Sequence, residues 1–259
     1  MSKSRHRVTC TFCGERGPRA REDVIPQWVA AEVGGSAPIR VEQAHAQDGH
    51  AHRLPTRQMG SVAAFKYPDV CHDCNTGWMS DLEEQAKPIL LPMIRGQQTS
   101  LSTDGLGIVA FWSIKTALMF DAFHQPRKIP ADEGTRLVYR ERKPFDHCQI
   151  RLGAYVAPRD GVWLPWARNT AHLTVEGPDH PLIEQDLVLI PFAFKHLLVW
   201  ANVLVGNPVD GPFQGFRPPS GLEFVQAWPT VGRVDWPPPR AIDWSSFLMM
   251  TTENLQPPS

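Results

Sequence analysis

Four cysteines in two Cys-x-x-Cys pairs constrain this chain more than any other feature of its sequence. Cys10 and Cys13 stand near the N-terminus, and Cys71 and Cys74 follow after an interval of 57 residues. Thiolates at positions i and i+3 can both turn toward one ion, and two such pairs complete the closed tetrahedral site that binds structural zinc. The spacing therefore predicts one structural zinc ion that joins two distant parts of the chain and leaves no ligand position open for a substrate.

A redox-active cysteine pair is the rival interpretation, and the surrounding residues fit it less well. Only Cys71 and Cys74 open a predicted helix, and they lack the apolar strand that leads into a thioredoxin-like site. In a reducing compartment, which we expect to be the cytoplasm, paired cysteines are more often metal ligands than disulfides. The fifth cysteine, Cys148, lies in an apolar run and is predicted to be a buried thiol.

The composition indicates an ordered protein without a membrane span. The 259 residues are 42% hydrophobic and 20% charged, which suits one large domain or two modest ones. No apolar run reaches the roughly 18–20 residues that a membrane span requires, and no secretory signal is expected, so we expect no membrane association.

The net charge is −1, whereas proteins that bind duplex DNA are often basic overall. The charge is uneven, however, because the segment 1–21, which we call the basic arm, carries six basic residues against Glu15 alone. The arm could follow a phosphate backbone or could be a solvated terminus.

The periodicity predicts an α+β fold in two parts. A zinc-stapled module, residues 1–98, comes first, and an accessory domain of unknown role, residues 105–259, follows a polar linker at 97–104. In the first part we expect a strand at 8–13, a short helix after Pro26 and a helix at 75–86 that Pro88 ends or kinks. Two strands, Ile39–Ala44 and Met59–Lys66, are predicted around a polar loop that carries His45, His50 and His52.

The second part is predicted to be one helix followed by strands. The helix at 107–123 is apolar on nearly all sides, so we expect it to be buried, with Lys115 reaching toward solvent. We predict strands at Arg136–Arg140, Gln149–Ala157, Ala171–Val175, Leu187–Phe194, His196–Val205 and Glu223–Trp228, with a hairpin turn near Lys195.

Two polar residues lie where the cysteine pairs would hold them together. Asp23 ends a predicted strand, and Asn75 opens a predicted helix. If zinc joins these elements, a carboxylate and an amide converge near a helix N-terminus, which suits a hard divalent cation and a phosphate. A cation bound there would polarise a phosphodiester. The alternative is that Asp23 caps the short helix and that Asn75 or Thr76 caps the longer one.

The order of these residues resembles that of zinc-knuckle HNH endonucleases. The matching segments are Cys10–Gly14, Glu22–Trp28 and Val70–Glu83, and the resemblance covers roughly residues 8–95. It is similar to the branch whose second knuckle reads Cys-x-x-Cys-Asn-x-Gly-Trp-Met-x-x-Leu-Glu. The resemblance implies a ββα-metal fold, a four-cysteine zinc site, and hydrolysis of DNA with magnesium or manganese. Asn75 matches the last position of the motif.

The chain departs from that pattern at two positions. Asp23 stands where the family carries a histidine, and no asparagine occurs between residues 26 and 74. A carboxylate with an ordinary pKa near 4 is a weaker base than imidazole at neutral pH. Asp23 could serve with Asn75 in an altered catalytic pair, or a histidine from 45–52 or His72 could substitute. The module could also bind nucleic acid or protein without cutting, or be a purely structural zinc domain.

Overall fold

The computed structural model describes residues 7–34, 39–41, 44–47, 50–53, 57–156, 162–177, 180–206, 221–230 and 232–247. The structure contains both helices and strands, which agrees with the predicted α+β class. The strands are β1 Arg7–Thr9, β2 Arg16–Asp23, β3 Ile39–Val41, β4 Ala44–Gln47, β5 His50–Arg53, β6 Arg57–Met59, β7 Lys66–Cys71, β8 Thr99–Leu101, β9 Cys148–Tyr155, β10 Val162–Trp163, β11 Asn169–Gly177, β12 His180–Phe194, β13 Leu197–Val205, β14 Val225–Trp228, β15 Val234–Trp236 and β16 Ala241–Ile242. The helices are α1 Gln27–Val33, α2 His72–Cys74, α3 Ser80–Ile94, α4 Thr103–Phe123 and α5 Thr135–Glu141; a wide π turn, Asn75–Met79, joins α2 to α3, and single 3₁₀ turns lie at Val62–Ala64 and Ala131–Glu133.

The N-terminal part is a small antiparallel sheet followed by a helix. Its strand order is β1-β2-β7, and β7 runs directly into α2. The pairing of β2 with β7 is interrupted once, where Pro68 and Asp69 lie opposite Arg21. Proline cannot donate to a strand ladder, so a bulge is where it can be accommodated. The bulge shifts the register just before Glu22 and Asp23, at the end of β2.

Helix α4 supports the larger sheet of the C-terminal part. That sheet has the order β11-β12-β13-β9-β14, with β16 also paired to β9. The side chain of Ser102 caps α4 by accepting from the backbone N–H of Gly105. Aromatic side chains join the helix to the sheet, with Trp112 against Phe194 and Phe120 against Phe192. The predicted hairpin is confirmed, since β12 and β13 are joined by a two-residue turn at Lys195, whose φ is 49°.

One apolar core extends through both parts of the chain. Its buried members include Phe12 and Val70 from the first part and Leu118 and Phe192 from the second. Trp78, just after the second cysteine pair, packs against Phe12 and stacks on Phe111 of α4. The C-terminal part is therefore packed directly on the cysteine-bearing module. The predicted division between 98 and 105 stays a prediction.

Several local predictions were wrong because packing outweighed local signals. The segment Arg136–Arg140, predicted as a strand, lies in α5. The helix does not end at Pro88, and a kink there stays a prediction. Helix α3 continues through Pro88 and Pro92, because its inner face, including Leu82, Leu90 and Ile94, is buried in the core. The predicted linker contains β8, which pairs with β15.

The loop between the predicted strands has more structure than expected. Strand β3 pairs with β6, and β4 pairs with β5 inside that connection. The second predicted strand is divided among β6, a 3₁₀ turn and the start of β7. The side chains of His45, His50 and His52, like Lys3 and Arg5 of the basic arm, lie outside the described part of the structure.

Among the described helices, only α4 is long and apolar enough to cross a membrane by length and composition. Within its most apolar window, 78% of the residues are buried inside the protein. A helix in the core of a folded domain has the same composition, so its apolarity is accounted for by packing.

Truncation of the shared core should destabilise the whole chain. Leu118 is 1% exposed, and Leu118→Ala should lower the free energy of unfolding by about 2–5 kcal/mol. The control is Val156→Ala, since Val156 is 54% exposed and its truncation should stay within about 0.5 kcal/mol. Urea denaturation followed by tryptophan fluorescence and circular dichroism checks both values. Equal effects of the two variants would contradict a core centred on α4.

Candidate metal centre and polar site

The four predicted ligands converge on one point. The sulfur atoms of Cys10, Cys13, Cys71 and Cys74 all lie within 4.8 Å of one another, and those of Cys13 and Cys71 are 3.7 Å apart. A tetrahedral ion with metal–sulfur bonds of about 2.3 Å requires sulfur separations of about 3.8 Å. Disulfide sulfurs would be about 2.05 Å apart, and all four cysteines are free. This cluster can therefore bind a metal ion.

Backbone geometry explains how the cysteines converge. The backbone N–H of Gly14 donates to the carbonyl of Cys10, and its φ of 79° closes the turn in a region that favours glycine. Gly17 on β2 approaches the Cys71 side chain so closely that a Cβ there would lie 3.0 Å from the Cβ of Cys71. The pairing of β2 with β7 then brings Cys71 beside Cys10 and Cys13.

The thiols influence one another strongly. A hydrogen bond from Cys74 lowers the pKa of Cys10 to about 4, whereas burial raises the pKa of Cys13 to about 11. The same bond raises the pKa of Cys74. Four thiolates this close repel one another, so only a bound cation allows all of them to be deprotonated together.

Asp23 and Asn75 do not cap helices. Helix α1 begins after Pro26 without a side-chain cap, and α2 begins after Cys71 without one. The hydroxyl of Thr76 donates to the carbonyl of His72 instead of capping the helix start. The predicted helix caps were therefore wrong. The roles of Asp23 and Asn75 in catalysis stay predictions.

The structure places these two residues against different partners. Asp23 accepts from the Lys66 ammonium and, at 3.2 Å, from the Gln27 amide. Asn75 donates through Nδ2 to Oε2 of Glu22, and no hydrogen bond joins it to Asp23. Neighbouring residues on a strand point to opposite faces, so Glu22 turns inward toward Asn75 while Asp23 turns outward.

A buried ammonium completes the inner side of this site. Lys115 on α4 is fully buried, 3.0 Å from Oε1 of Glu83 and 3.7 Å from Oε1 of Glu22. Burial opposes its charge, but the attraction of Glu83 and Glu22 outweighs burial and raises the pKa of Lys115. The prediction that Lys115 reaches toward solvent was wrong.

Glu22, Glu83 and Lys115 form a polar network that sequence reasoning did not identify. The available signal was the charge of Lys115 within an otherwise apolar helix, because a buried charge must be paired. Its partners could not be chosen without knowing which elements pack on α4. Cys148 is buried as predicted, and burial raises the pKa of its thiol.

Comparison of the chain with protein-family models, with curated proteins and with solved structures finds no match.

Glu22 should make the stability of the fold depend on pH. Burial raises its pKa from 4.5 to about 7, so the folded protein holds a proton that the unfolded chain has lost in this range. The stabilisation is complete below pH 4.5 and is lost as the pH rises through about 7. It amounts to on the order of 3 kcal/mol.

The variant Glu22→Gln removes this titration and keeps a side chain of similar shape. We expect the free energy of unfolding of the wild type, relative to the variant, to fall by on the order of 3 kcal/mol between pH 5 and pH 8. Urea denaturation of both proteins at the two pH values measures it. Parallel pH profiles would show that Glu22 titrates normally.

Proposed function

We propose that this chain is a zinc-stabilised, HNH-like module that binds DNA and hydrolyses its phosphodiester bonds with a divalent cation. The observation that carries the proposal is the meeting of Glu22 and Asn75 beside the cysteine cluster. A carboxylate and an amide from distant parts of the chain meet there, next to Asp23. The antiparallel β2 and β7 followed by α2 and α3 support a ββα-metal arrangement.

Zinc is the ion that best suits the cysteine cluster. Four thiolates in a tetrahedral arrangement are typical of structural zinc and leave no coordination position for water. The ion would hold the end of β7 and the start of α2 against Cys10 and Cys13. Its role is therefore to fix the polar site in place.

The second cation would be magnesium or manganese, held by oxygen atoms of Glu22 and Asn75. The Nδ2 bond of Asn75 to Glu22 leaves the amide oxygen Oδ1 as its ligand atom. A hard divalent cation prefers such oxygen ligands and would polarise the phosphodiester. We assign the cation to Glu22 rather than to Asp23 because Glu22 is the carboxylate that Asn75 contacts.

Asp23 would accept the proton of the attacking water. Its side chain is 16% exposed, and it faces away from the Glu22 side. The Lys66 ammonium that pairs with it is 37% exposed, so this lysine can move away at a lower cost than the buried Lys115. Exposed Arg16, Arg19 and Arg21 lie on the same strand and supply positive charge for a DNA backbone.

A catalytically silent module that binds nucleic acid is the second candidate, and the lysines favour it. The Lys115 ammonium lies 3.7 Å from Oε1 of Glu22, and the Asn75 amide donates a hydrogen bond to Oε2. The Lys66 ammonium forms an ion pair with the Asp23 carboxylate. Because Lys115 is fully buried, its withdrawal to admit a divalent cation would be costly. The two candidates differ in metal-dependent cleavage and agree in DNA binding.

The zinc proposal predicts one equivalent of zinc in the purified protein. Cys71→Ser removes one ligand, so zinc should be lost together with much of the stability. The control is Cys148→Ser, which alters a buried cysteine outside the cluster and should retain one equivalent. Elemental analysis and thermal unfolding measure both effects. A stable wild-type protein without metal would contradict the proposal.

The nuclease proposal predicts nicking of supercoiled plasmid that requires added magnesium or manganese. Asp23→Asn and Asn75→Ala should each lower the rate at least about 100-fold, since proton transfer and cation placement are lost. The control is Asp73→Asn, because Asp73 is exposed between the two cysteines of the second pair.

The variant Asp23→His separates the two candidates. If the wild type does not cleave with either cation while Asp23→His does, the natural chain is catalytically silent. Cleavage by the wild type that survives Asn75→Ala would instead place the chemistry elsewhere.

A further inference from the structure

An open cleft of about 510 Å³ lies between the small N-terminal sheet and the end of α4. It adjoins the proposed site through Lys66, which lines the cleft and pairs with Asp23. The lining residues come from both parts of the chain: Thr9, Thr11, Lys66, Tyr67, Pro68, Asp69, Ala122, Phe123, Gln125 and Arg127.

Arg127 is held in this cleft without a carboxylate partner among the described residues. Its Nη2 donates to the hydroxyl of Tyr67 at 2.8 Å and to that of Thr11 at 3.4 Å. These two hydroxyls also bond each other, at 2.9 Å. A half-buried guanidinium held by two neutral hydroxyls has further N–H donors that suit the oxygens of a phosphate.

The other charges of the cleft are arranged to leave it positive. Asp69, the acidic residue in the lining, lies 3.5 Å from the Arg19 guanidinium. Lys66 is shared between the cleft and Asp23, so an anion in the cleft would attract its ammonium away from that carboxylate. Binding of an anion would thereby free Asp23.

Two features favour a nucleic-acid strand over a small ion. The partly buried ring of Phe123 is part of the lining, and aromatic rings beside cations are typical of sites that bind single strands. Arg7 lies two residues before Thr9 on β1, so it continues the positive charge beyond the cleft on the same face of the strand.

We propose that this cleft binds a phosphodiester group of a nucleic-acid strand, with Arg127 as its anchoring residue and Lys66 as the second cation. The assignment rests on the proposed function, because the bound strand would lie beside Asp23. It gives the C-terminal part a direct role in substrate binding. A strand held by Arg127 also supplies the anion that releases Lys66 from Asp23.

The test is binding of a fluorescein-labelled 12-nucleotide single strand to the zinc-containing protein, without added magnesium or manganese. Arg127→Gln should weaken binding about tenfold, the value of one charge-assisted hydrogen-bond contact. The slope of log K against log salt concentration should fall by about 0.7, as for one lost phosphate contact. Fluorescence anisotropy at several salt concentrations measures both.

Two further variants keep the result interpretable. Lys128→Gln removes an equal charge from an exposed neighbour that does not line the cleft, and it should change affinity less than twofold. Tyr67→Phe keeps the charge of Arg127 but removes its closer acceptor, so it should weaken binding severalfold. Equal losses for Arg127→Gln and Lys128→Gln, or no binding by the wild type, would overturn the assignment. Unchanged melting temperature and zinc content show that each variant is folded.

Competition with inorganic phosphate distinguishes a nucleic-acid strand from a free phosphate ion as the ligand of the cleft. If the cleft takes a strand, phosphate should compete with the oligonucleotide no better than sulfate does at equal ionic strength. Tight phosphate binding that Arg127→Gln abolishes, with no loss of oligonucleotide affinity, would assign the cleft to the free ion and overturn the proposal.

The failure of this inference can be told apart from failure of the nuclease proposal. An Arg127-dependent affinity without plasmid nicking leaves the cleft assigned and rejects hydrolysis. Plasmid nicking with oligonucleotide affinity unchanged in Arg127→Gln leaves hydrolysis standing and rejects the cleft.

Discussion

The mutual repulsion of four closely spaced thiolates is the constraint on which the N-terminal part depends. Sulfur atoms within 4.8 Å of one another can all be deprotonated only around a cation. Such an ion would join residues that 57 positions separate and fix where β7 ends and α2 begins. The polar site lies immediately after this junction. Its geometry therefore depends on the cysteine cluster, which would take no part in the proposed hydrolysis.

The buried Lys115 is the second constraint, and it makes the two parts of the chain interdependent. An ammonium with no solvent exposure is stable only beside negative charge, which Glu83 and, above about pH 7, Glu22 supply from the N-terminal part. Trp78 reinforces the same junction by packing on Phe111. The helix that carries Lys115 is thus a wall of the candidate site as well as the core of the C-terminal part.

The cysteine ligands and the buried helix could be predicted because each has a strong local signal. Ligand spacing identified the cluster, and the nearly continuous apolar run identified α4. The network around Lys115 could not be predicted, since it depends on the packing of the end of β2 and of α3 against α4. Likewise, α3 passes through Pro88 because burial of its inner face outweighs the lost backbone bond. Residues 136–140 were predicted as a strand but lie in α5, because tertiary packing outweighs their local preference as well.

The alternation of side chains along β2 explains why Asn75 contacts Glu22 and not Asp23, the residue that the sequence motif indicated. Glu22 and Asp23 are adjacent, yet one faces a fully buried lysine and the other a partly exposed one. Breaking a buried ion pair costs about 3–5 kcal/mol, and the cost falls toward about 1 kcal/mol as a partner becomes exposed, as Lys66 is at 37%. Glu22 is therefore fixed in place, while Asp23 can exchange Lys66 for another partner. In the proposed hydrolysis, proton transfer would fall to Asp23, and Glu22 with Asn75 would form the rigid side against which a substrate is held.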